Sequence, residues 1–418
     1  MIRFSRLPSG VRILTEAMPQ VRSATIGIWA DVGSAAERPE QRGISHLVEH
    51  MLFKGTRRRT ARRIAEEMDG IGGNLNAFTD KESTCYYAHV MDRHLPIAID
   101  VLGDMFLHSL FDADELRKEQ SVVLEEIKMY DDSPDEMIND LFTRTMWGGS
   151  QLGEPTIGYA ETVVAIDRAQ LRAWMAQRYA PQTVLVSAAG NLDHDRVVDL
   201  VAQAFEGFTG SAARPAADRP RHTPDVVLTY KDTEQAYVML GARGLSLRDP
   251  DRYALSVLDT ILGGGMSSRL FQEVREKRGL AYSVYSFQQS YRDAGLFGIS
   301  AGTSPSNVQE CVDVIVHELE AVVTGVGEAE VALAREHLKG NITLALESTT
   351  SRMMRLGRNE LTYGAQITTD ELEIAIDAVD RAAVERVART TLAPEARGLC
   401  VLGPLEPGSV RLAPPHAA

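Results

Sequence analysis

The sequence predicts an α+β fold of two homologous, duplicated domains, each a largely antiparallel sheet covered by helices on one face. One observation is an internal repeat: residues 166–169 (Ile-Asp-Arg-Ala) recur at 379–382 (Val-Asp-Arg-Ala), and 179–181 (Tyr-Ala-Pro) recur at 392–394 (Leu-Ala-Pro), both at an offset of 213. Solenoid repeats have periods of roughly 20–50 residues, so a repeat this long indicates a duplicated domain. A second observation is that strand-like hairpins are grouped apart from long helical stretches, which is typical of α+β folds.

The first half begins with a strand predicted over 23–32, where apolar and polar residues alternate. Apolar residues at helical spacing then predict helices over 43–54 and 61–68. The turn at Gly72-Gly73 precedes the next strands. The remaining predicted elements are strands over 74–79 and 84–90, a long helix from 112 to about 147, a helix over 169–178 and a strand over 183–189.

The second half repeats this order of elements. Its predicted elements are strands over 237–241, 281–286 and 296–301, helices over 251–262 and 268–277, and a long helix near 328–361. Three prolines among Gly, Ala and Arg between the halves indicate a linker. We therefore expect domains at 1–206 and 225–418, joined by the linker 207–224.

The composition of the chain excludes several classes of protein. A net charge of −14 disfavours a nucleic-acid binder that neutralises phosphates. The longest stretch without a charged residue, 294–309, is too short and too polar to cross a membrane. Three widely spaced cysteines form no disulfide or zinc pattern, and the N-terminus has no apolar signal region, so the expected location is the cytoplasm.

The sharpest chemical feature is the sequence His46-Leu-Val-Glu49-His50. Residues i and i+4 of a helix share one face, so both imidazoles can bind one metal ion. Glu49 can then reach a water on that ion without being a ligand. This order of residues is the inverzincin signature. The alternative, two helix histidines with structural roles, requires a chance match that occurs roughly 0.02 times per chain of this composition.

A hydrolytic zinc site normally has three protein ligands and one open position. The third candidate is Glu126, next to the apolar Ile127 and three residues after Val123, on the expected buried stripe of the long helix. Metal coordination would offset the cost of burying this carboxylate. Glu119 lies two turns earlier on the same face and could orient a ligand. The alternative is that Glu126, like Glu125, is one of the solvated glutamates that are common on long helices.

These motifs together resemble a known family. The segments 46–56 (HLVEHMLFKGT), 72–79 (GGNLNAFT) and 122–127 (VVLEEI) are hallmarks of the inverzincin metallopeptidases of the pitrilysin/insulinase family, whose short-chain members include the catalytic subunit of mitochondrial processing peptidase. The resemblance covers nearly the whole chain. In that family the distal ligand follows the second histidine by about 76 positions, the spacing between His50 and Glu126 here.

The resemblance implies a zinc-dependent endopeptidase that hydrolyses peptides or unfolded segments inside a dimeric chamber. It implies one Zn2+ per chain, held by His46, His50 and Glu126. Glu49 would be the general base, and Glu119 a supporting carboxylate.

The second half is expected to bind substrate rather than metal. No histidine occurs from 223 to 316, and at the offset of 213 Lys339 corresponds to Glu126. In the resembled family an Arg and a Tyr seven residues apart contact the substrate backbone and stabilise the tetrahedral intermediate. Arg275 and Tyr282 have this spacing. The alternative for Arg275 is a favourable interaction with the C-terminal end of its helix.

Further residues are candidates for substrate contacts. Phe53, one turn after His50, is either a core residue or part of a pocket for the residue after the scissile bond. The strand that carries Asn76 and Ala77 could pair with an extended peptide through backbone hydrogen bonds. The glycines at 263–265 lack a following Gly-Lys-Ser/Thr and predict a turn rather than a nucleotide site.

The expected partner, besides a peptide or unfolded polypeptide substrate, is a second copy of the chain. In the resembled family the Arg/Tyr pair of one half reaches the metal of the opposite half, which implies a homodimer. Neither nucleic acid nor a membrane is expected to bind. The rival interpretation is a non-catalytic or partner-dependent subunit of a processing-peptidase-like heterodimer.

Overall fold

The computed structural model describes residues 1–214 and 220–412, which form two compact units. Each unit is assembled from separate segments of the chain. The described residues of the first unit lie within Met1–Met129, Pro155–Ala217 and Ala345–Gln366, and those of the second lie within Tyr130–Glu154, Asp218–Leu344 and Ile367–Ala418.

The described residues form eleven strands and fourteen α-helices. The strands are β1 (Ile2–Arg6), β2 (Arg12–Ala17), β3 (Ser23–Ala30), β4 (Asn74–Thr79), β5 (Thr84–Met91), β6 (Val184–Gly190), β7 (Val226–Tyr230), β8 (Ala236–Arg243), β9 (Ala281–Ser290), β10 (Gly295–Thr303) and β11 (Gly398–Gly403). The helices are α1 (Ile44–Leu52), α2 (Ala61–Asp69), α3 (Leu95–His108), α4 (Ala113–Asp132), α5 (Pro134–Met146), α6 (Ala160–Ala165), α7 (Arg168–Arg178), α8 (His194–Ala204), α9 (Arg252–Gly263), α10 (Val308–Thr324), α11 (Glu328–Ala345), α12 (Thr349–Tyr363), α13 (Thr369–Asp377) and α14 (Arg381–Thr391).

The first unit contains a six-stranded sheet in the order β1-β2-β6-β3-β5-β4. All neighbouring strands are antiparallel except β2 and β6, which confirms the predicted α+β class with a largely antiparallel sheet. Alternate residues of β3, such as Ile26 and Ile28, enter the main core together with Leu47 of α1 and Ile99 of α3. The strand β4 is an edge of this sheet and contacts α1.

The opposite face of the first sheet is covered by α12, which comes from the second half of the sequence. Its buried side chains Met353 and Leu356 form a separate cluster with Trp29 of β3. A side chain at Gly357 would place its Cβ 2.3 Å from the Trp29 ring, so this close contact requires glycine. The expectation that helices cover one face of each sheet is therefore incomplete for this unit.

The second unit contains a five-stranded sheet in the order β7-β11-β8-β10-β9, antiparallel except for β7 and β11. Residues of α9, α10 and α14 form its main core with this sheet. A helix from the first half of the sequence, α5, contacts β8 and β11. There Phe142 lies against Gly241, and Met146 lies against Gly398. Each unit thus includes one helix that the sequence repeat assigns to the other half.

The predicted division into continuous domains at 1–206 and 225–418 differs from the observed units because of these two helices. The sequence of an amphipathic helix indicates that one face is buried, but it does not indicate which sheet that face covers. The predicted linker 207–224 includes residues 215–219, which lie outside the described residues.

The two long predicted helices are each interrupted. The stretch from 112 to 147 divides into α4 and α5 at Ser133-Pro134, where proline begins the new helix because it lacks an N–H. The stretch from 328 to 361 divides into α11 and α12, and the Ser348 hydroxyl caps the second of them. Among the described residues, no helix combines the length and apolar character needed to span a bilayer.

Candidate active site

The N-terminus of α1 is held by a buried carboxylate. Gly43 begins the helix in the left-handed region (φ 91°), where glycine is favoured. The Gly43 and Ser45 N–H groups donate to the two Glu37 carboxylate oxygens, each at 2.8 Å. Burial raises the pKa of Glu37 to about 7, although hydrogen bonds from Ser45 and Gly43 and the charge of Lys81 oppose this shift. Glu37 therefore fixes the start of α1.

The apolar face of α1 anchors the helix and leaves its polar face toward the candidate site. His46, Glu49 and His50 are only partly buried. The residues between and after them are fully buried and belong to the main core of the first unit: Leu47, Val48, Met51 and Leu52. The predicted helical spacing of the two histidines is confirmed.

The structure brings His46, His50 and Glu126 of α4 into one cluster. Glu126 Oε2 lies 3.9 Å from His46 Nε2 and 3.7 Å from His50 Nε2. These separations are too long for hydrogen bonds. They are close to the roughly 3.4 Å between ligand atoms that bonds of about 2.1 Å give around a tetrahedral zinc ion. Within the described part of the chain, no other three His, Cys, Asp or Glu side chains bring ligand atoms within 4.8 Å of one another.

The ionisation of His46 also suits metal binding. Burial lowers the pKa of His46 to about 4, with a further contribution from the nearby His50. His46 is therefore neutral at pH 7, which is the form that coordinates a metal. The residues present thus fit a divalent cation such as zinc.

Glu119 orients His50 from behind the cluster. The His50 Nδ1–H donates to Glu119 Oε2 at 3.1 Å, which leaves the Nε2 lone pair on the side of Glu126. The Lys54 ammonium lies 2.7 Å from Glu119 Oε1. The carboxylate is buried but has a donor at each oxygen, so both of its oxygens are satisfied.

Glu49 lies beside the cluster and is held by Thr79 at the end of β4. The Thr79 hydroxyl donates to Glu49 Oε2 at 2.6 Å. Burial raises the pKa of Glu49 and the negative charge of Glu126 adds to this, while the Thr79 hydrogen bond and the charge of His50 oppose it. A carboxylate whose pKa is raised is a stronger base once it is ionised.

Thr79 was not among the predicted site residues. The available signal is the alternation along β4, where Leu75 and Ala77 pack against the main core and Thr79 follows on the same face. Because β4 lies next to α1, a hydroxyl residue at the end of this apolar strand face can contact α1.

The predicted substrate residues near this cluster lie just after α1 and on β4. Phe53 follows the last residue of α1 and is partly buried against the main core, which favours the alternative that it is a core residue. Asn76 is exposed on the edge strand, and Ala77 is half-buried beside it. The Ala77 N–H donates to Asn76 Oδ1 at 2.8 Å.

Arg275 and Tyr282 lie together in the second unit. The Arg275 guanidinium lies 4.6 Å from the Phe271 ring centroid and 4.9 Å from that of Tyr282. Ala281 pairs with Thr303 and the next pair joins residues 283 and 302, so Tyr282 is the extra residue of a β-bulge. It is 80% exposed, which leaves its hydroxyl available to a ligand. The sequence did not predict this bulge.

The second unit carries different side chains at the positions of the metal cluster. Residues 254–262 of α9 repeat the burial pattern of 44–52 in α1, an offset of 210. Serine and threonine therefore replace the two histidines, and Asp259 replaces Glu49. These hydroxyls are poor zinc ligands.

The counterpart of Glu126 differs from the predicted Lys339. The helices α4 and α11 begin at Ala113 and Glu328, an offset of 215. At this offset the buried Leu116 and Glu119 correspond to the buried Val331 and Ala334. This register places Asn341 at the position of Glu126. The offset of 213 is wrong here because it was taken from segments nearer the end of each half.

Comparison with family models accounts for most of the chain. Residues 12–159 match the model described as Insulinase (Peptidase family M16). Residues 165–338 match the model described as Peptidase M16 inactive domain. The first match contains the histidine–glutamate cluster, and the second contains the Arg275/Tyr282 pair.

Individual relatives and a solved structure agree with this assignment. An uncharacterised zinc protease of Streptomyces coelicolor is 46% identical, over 97% of this chain and 90% of its own length. A probable mitochondrial-processing peptidase subunit beta of Arabidopsis thaliana is 34% identical, over 97% of this chain and 78% of its own. The crystal structure of a protease from Helicobacter pylori has a TM-score of 0.90 at 22% identity, covering 97% of this chain and 99% of that one, which shows a shared fold.

Proposed function

The chain belongs to the insulinase family of peptidases, family M16, and on this basis we propose that it is a zinc-dependent endopeptidase acting on peptides or unfolded polypeptide segments. The observation that carries the proposal is the cluster of His46, His50 and Glu126, with Glu49 beside it. Three ligands and an adjacent carboxylate base are the parts that metal-assisted hydrolysis of an amide needs.

His46, His50 and Glu126 would hold one Zn2+ per chain. When bound, the ion supplies Lewis-acid chemistry, which polarises a carbonyl and makes water more acidic. The protein keeps the ligands in their coordinating forms. Glu119 holds the proton of His50 at Nδ1, so that Nε2 is the coordinating atom.

Glu49 would act as the general base and then as the acid. Thr79 occupies Oε2, so Oε1 takes the proton from the attacking water. Glu49 then gives this proton to the nitrogen of the departing amine, because a neutral amine leaves more easily than its anion. Its raised pKa supports both transfers, since the base is stronger and the proton is retained until the C–N bond breaks.

Arg275 and Tyr282 would bind the substrate and complete catalysis. The Tyr282 hydroxyl donates to the developing oxyanion, and Arg275 contacts the peptide backbone. The exposed phenol and its stacking on Arg275 support these roles. A peptide that adds to the edge strand β4 near Asn76 and Ala77 would be held by its extended backbone, which predicts broad sequence specificity.

We further propose a homodimer whose two chains enclose the substrate in a chamber. In this arrangement Arg275 and Tyr282 of one chain complete the metal site of its partner. Complementation tests it: inactive Glu49→Gln chains are mixed with Tyr282→Phe chains, whose activity we expect to be about 100-fold below that of the wild type. Mixed dimers should regain one competent site if the pair acts across the interface, and recovered activity is the expected result. Mixed dimers that form but stay inactive contradict the arrangement.

The peptidase proposal is tested with the purified chain alone. Size-exclusion chromatography gives its oligomeric state, and a mixture of unstructured peptides analysed by mass spectrometry gives its cleavage products. We expect cleavage by the wild type, inhibition by a zinc chelator, and no cleavage by Glu49→Gln. A zinc-loaded wild-type chain that cleaves none of the peptides would instead favour a non-catalytic or partner-dependent subunit.

A further inference from the structure

The Thr79–Glu49 hydrogen bond joins two elements of the first unit. Thr79 is the last residue of β4, and Glu49 lies on α1 between the two histidines. The distance from Thr79 Oγ1 to Glu49 Oε2, 2.6 Å, is typical of a hydroxyl donating to an ionised carboxylate. Both side chains are partly shielded from solvent, so water competes weakly for this bond.

A glutamate needs such an anchor to act at one defined atom. Its side chain has three rotatable bonds, and an unanchored carboxylate would exchange its two oxygens. With Oε2 held by Thr79, the other oxygen, Oε1, has no hydrogen-bond partner among the described residues. A fixed carboxylate with one available oxygen is a preorganised base.

The second unit contains a comparable pair with a different outcome. The Ser286 hydroxyl of β9 donates to Asp259 Oδ1 on α9, at the position that corresponds to Glu49. Here Gln288 Nε2 also donates to Asp259 Oδ2 at 3.1 Å, so both carboxylate oxygens are occupied. In both units, therefore, a hydroxyl on a strand donates a hydrogen bond to a carboxylate on the neighbouring helix.

From this contrast we infer that Thr79 is a positioning residue for Glu49, an inference that rests on the proposed peptidase function. In the first unit, where α1 also carries the two histidines, the Glu49 carboxylate has one hydrogen-bond donor, and its second oxygen is left for proton transfer. In the second unit, which lacks those histidines, Gln288 donates to the second oxygen of Asp259, so neither oxygen is left for proton transfer. Thr79 touches neither the substrate nor the metal ligands in this role; it acts through Glu49.

The test compares Thr79→Val, which keeps the shape but removes the hydroxyl, with Thr79→Ser, which restores the donor. We expect Thr79→Val to lower kcat about 10–100-fold, the effect typical of losing an orienting hydrogen bond, with KM changed less than about twofold. Zinc content should stay at the wild-type value. Thr79→Ser should recover most of the lost kcat.

A second readout needs no activity. In metal-free protein, Thr79→Val should lower Tm more in the wild type than in Glu49→Gln, because the lost donor serves a charged acceptor only in the former. Ser286→Ala is the matched control, because it removes the corresponding hydrogen bond to Asp259 in the second unit. It should lower Tm equally in the wild-type and Glu49→Gln backgrounds.

The outcomes separate the two proposals. An active wild type with full kcat in Thr79→Val overturns the positioning role and leaves the peptidase proposal intact. Loss of zinc in Thr79→Val also overturns it, since the residue would then support the ligand helix. Equal Tm shifts in the two backgrounds also overturn it, because the Thr79 hydroxyl would then gain nothing from the charged carboxylate of Glu49. A zinc-loaded wild type that cleaves nothing overturns both proposals.

Discussion

Replacing Glu119 by Gln should weaken zinc binding although Glu119 is not a ligand. Both of its neighbours are donors: Lys54 Nζ lies 2.7 Å from Oε1, and His50 Nδ1 lies 3.1 Å from Oε2. A carboxylate accepts from both, whereas the amide of Gln has one accepting oxygen and one donating nitrogen. One donor must then face another, or the proton of His50 must move to Nε2, where it blocks coordination.

The size of this effect follows from the burial of the pair. Glu119 is only 5% exposed, so water cannot readily replace the lost partner. An unsatisfied buried donor costs about 1–3 kcal/mol. Loss of a hydrogen-bond partner of a metal-bound histidine typically weakens metal affinity about 10–100-fold, which corresponds to about 1.4–2.7 kcal/mol. The two routes agree, so we expect the zinc Kd of Glu119→Gln to rise by that factor.

The assay is competition for zinc against a fluorescent chelator of known affinity. Glu125→Gln is the matched control, because Glu125 lies on the same helix but is exposed, and among the described residues its ion-pair partner is Lys128 at 2.6 Å. Its zinc Kd should change less than about twofold, as expected for a surface pair. Equal Kd values for Glu119→Gln and the wild type, or equal weakening in both variants, would refute the reasoning.

Three further predictions concern pH, packing and catalysis. The pKa of Glu37 is about 7 in the folded chain and near 4.5 when unfolded, so its stabilising contribution is present below pH 4.5 and is lost as pH rises to 7. In metal-free protein, the free energy of unfolding of the wild type minus that of Glu37→Gln should therefore fall by about 3 kcal/mol between pH 4.5 and pH 7. A difference that stays constant over this range would contradict the prediction. Met353→Ala should cost about 2–5 kcal/mol in urea unfolding, because Met353 is fully buried against the first sheet, whereas Met129→Ala, 70% exposed, should cost less than about 0.5 kcal/mol. Tyr282→Phe should lower kcat about 100-fold with unchanged Tm, since its side chain is 80% exposed; undiminished kcat would remove it from the mechanism.

The proximity of His46 and His50 was predictable because it depends only on residues of one helix. Two histidines four residues apart on an amphipathic helix must share a face, whatever the rest of the fold does. Glu126 does not follow from helix spacing in this way, because its helix meets α1 only in the folded chain. The structure joins them through Glu119, whose bond to His50 explains why a carboxylate is buried at that position.

The parts that could not be predicted depend on long-range packing. The two helices that cover the sheet of the other half, α5 and α12, look like continuations of α4 and α11 in the sequence. Their placement depends on contacts such as Gly357 against Trp29, which connect residues more than 300 positions apart. The bulge at Tyr282 is likewise set by the register between β9 and β10.

The central claim is that His46, His50 and Glu126 bind one catalytic zinc ion and that Glu49 is a base rather than a ligand. The most direct measurement is the zinc-to-protein ratio, determined by mass spectrometry of the element after dialysis, in the wild type, His50→Ala and Glu49→Gln. We predict about one zinc per chain in the wild type and in Glu49→Gln, and almost none in His50→Ala. Stoichiometric zinc in His50→Ala, or its loss in Glu49→Gln, would contradict the account.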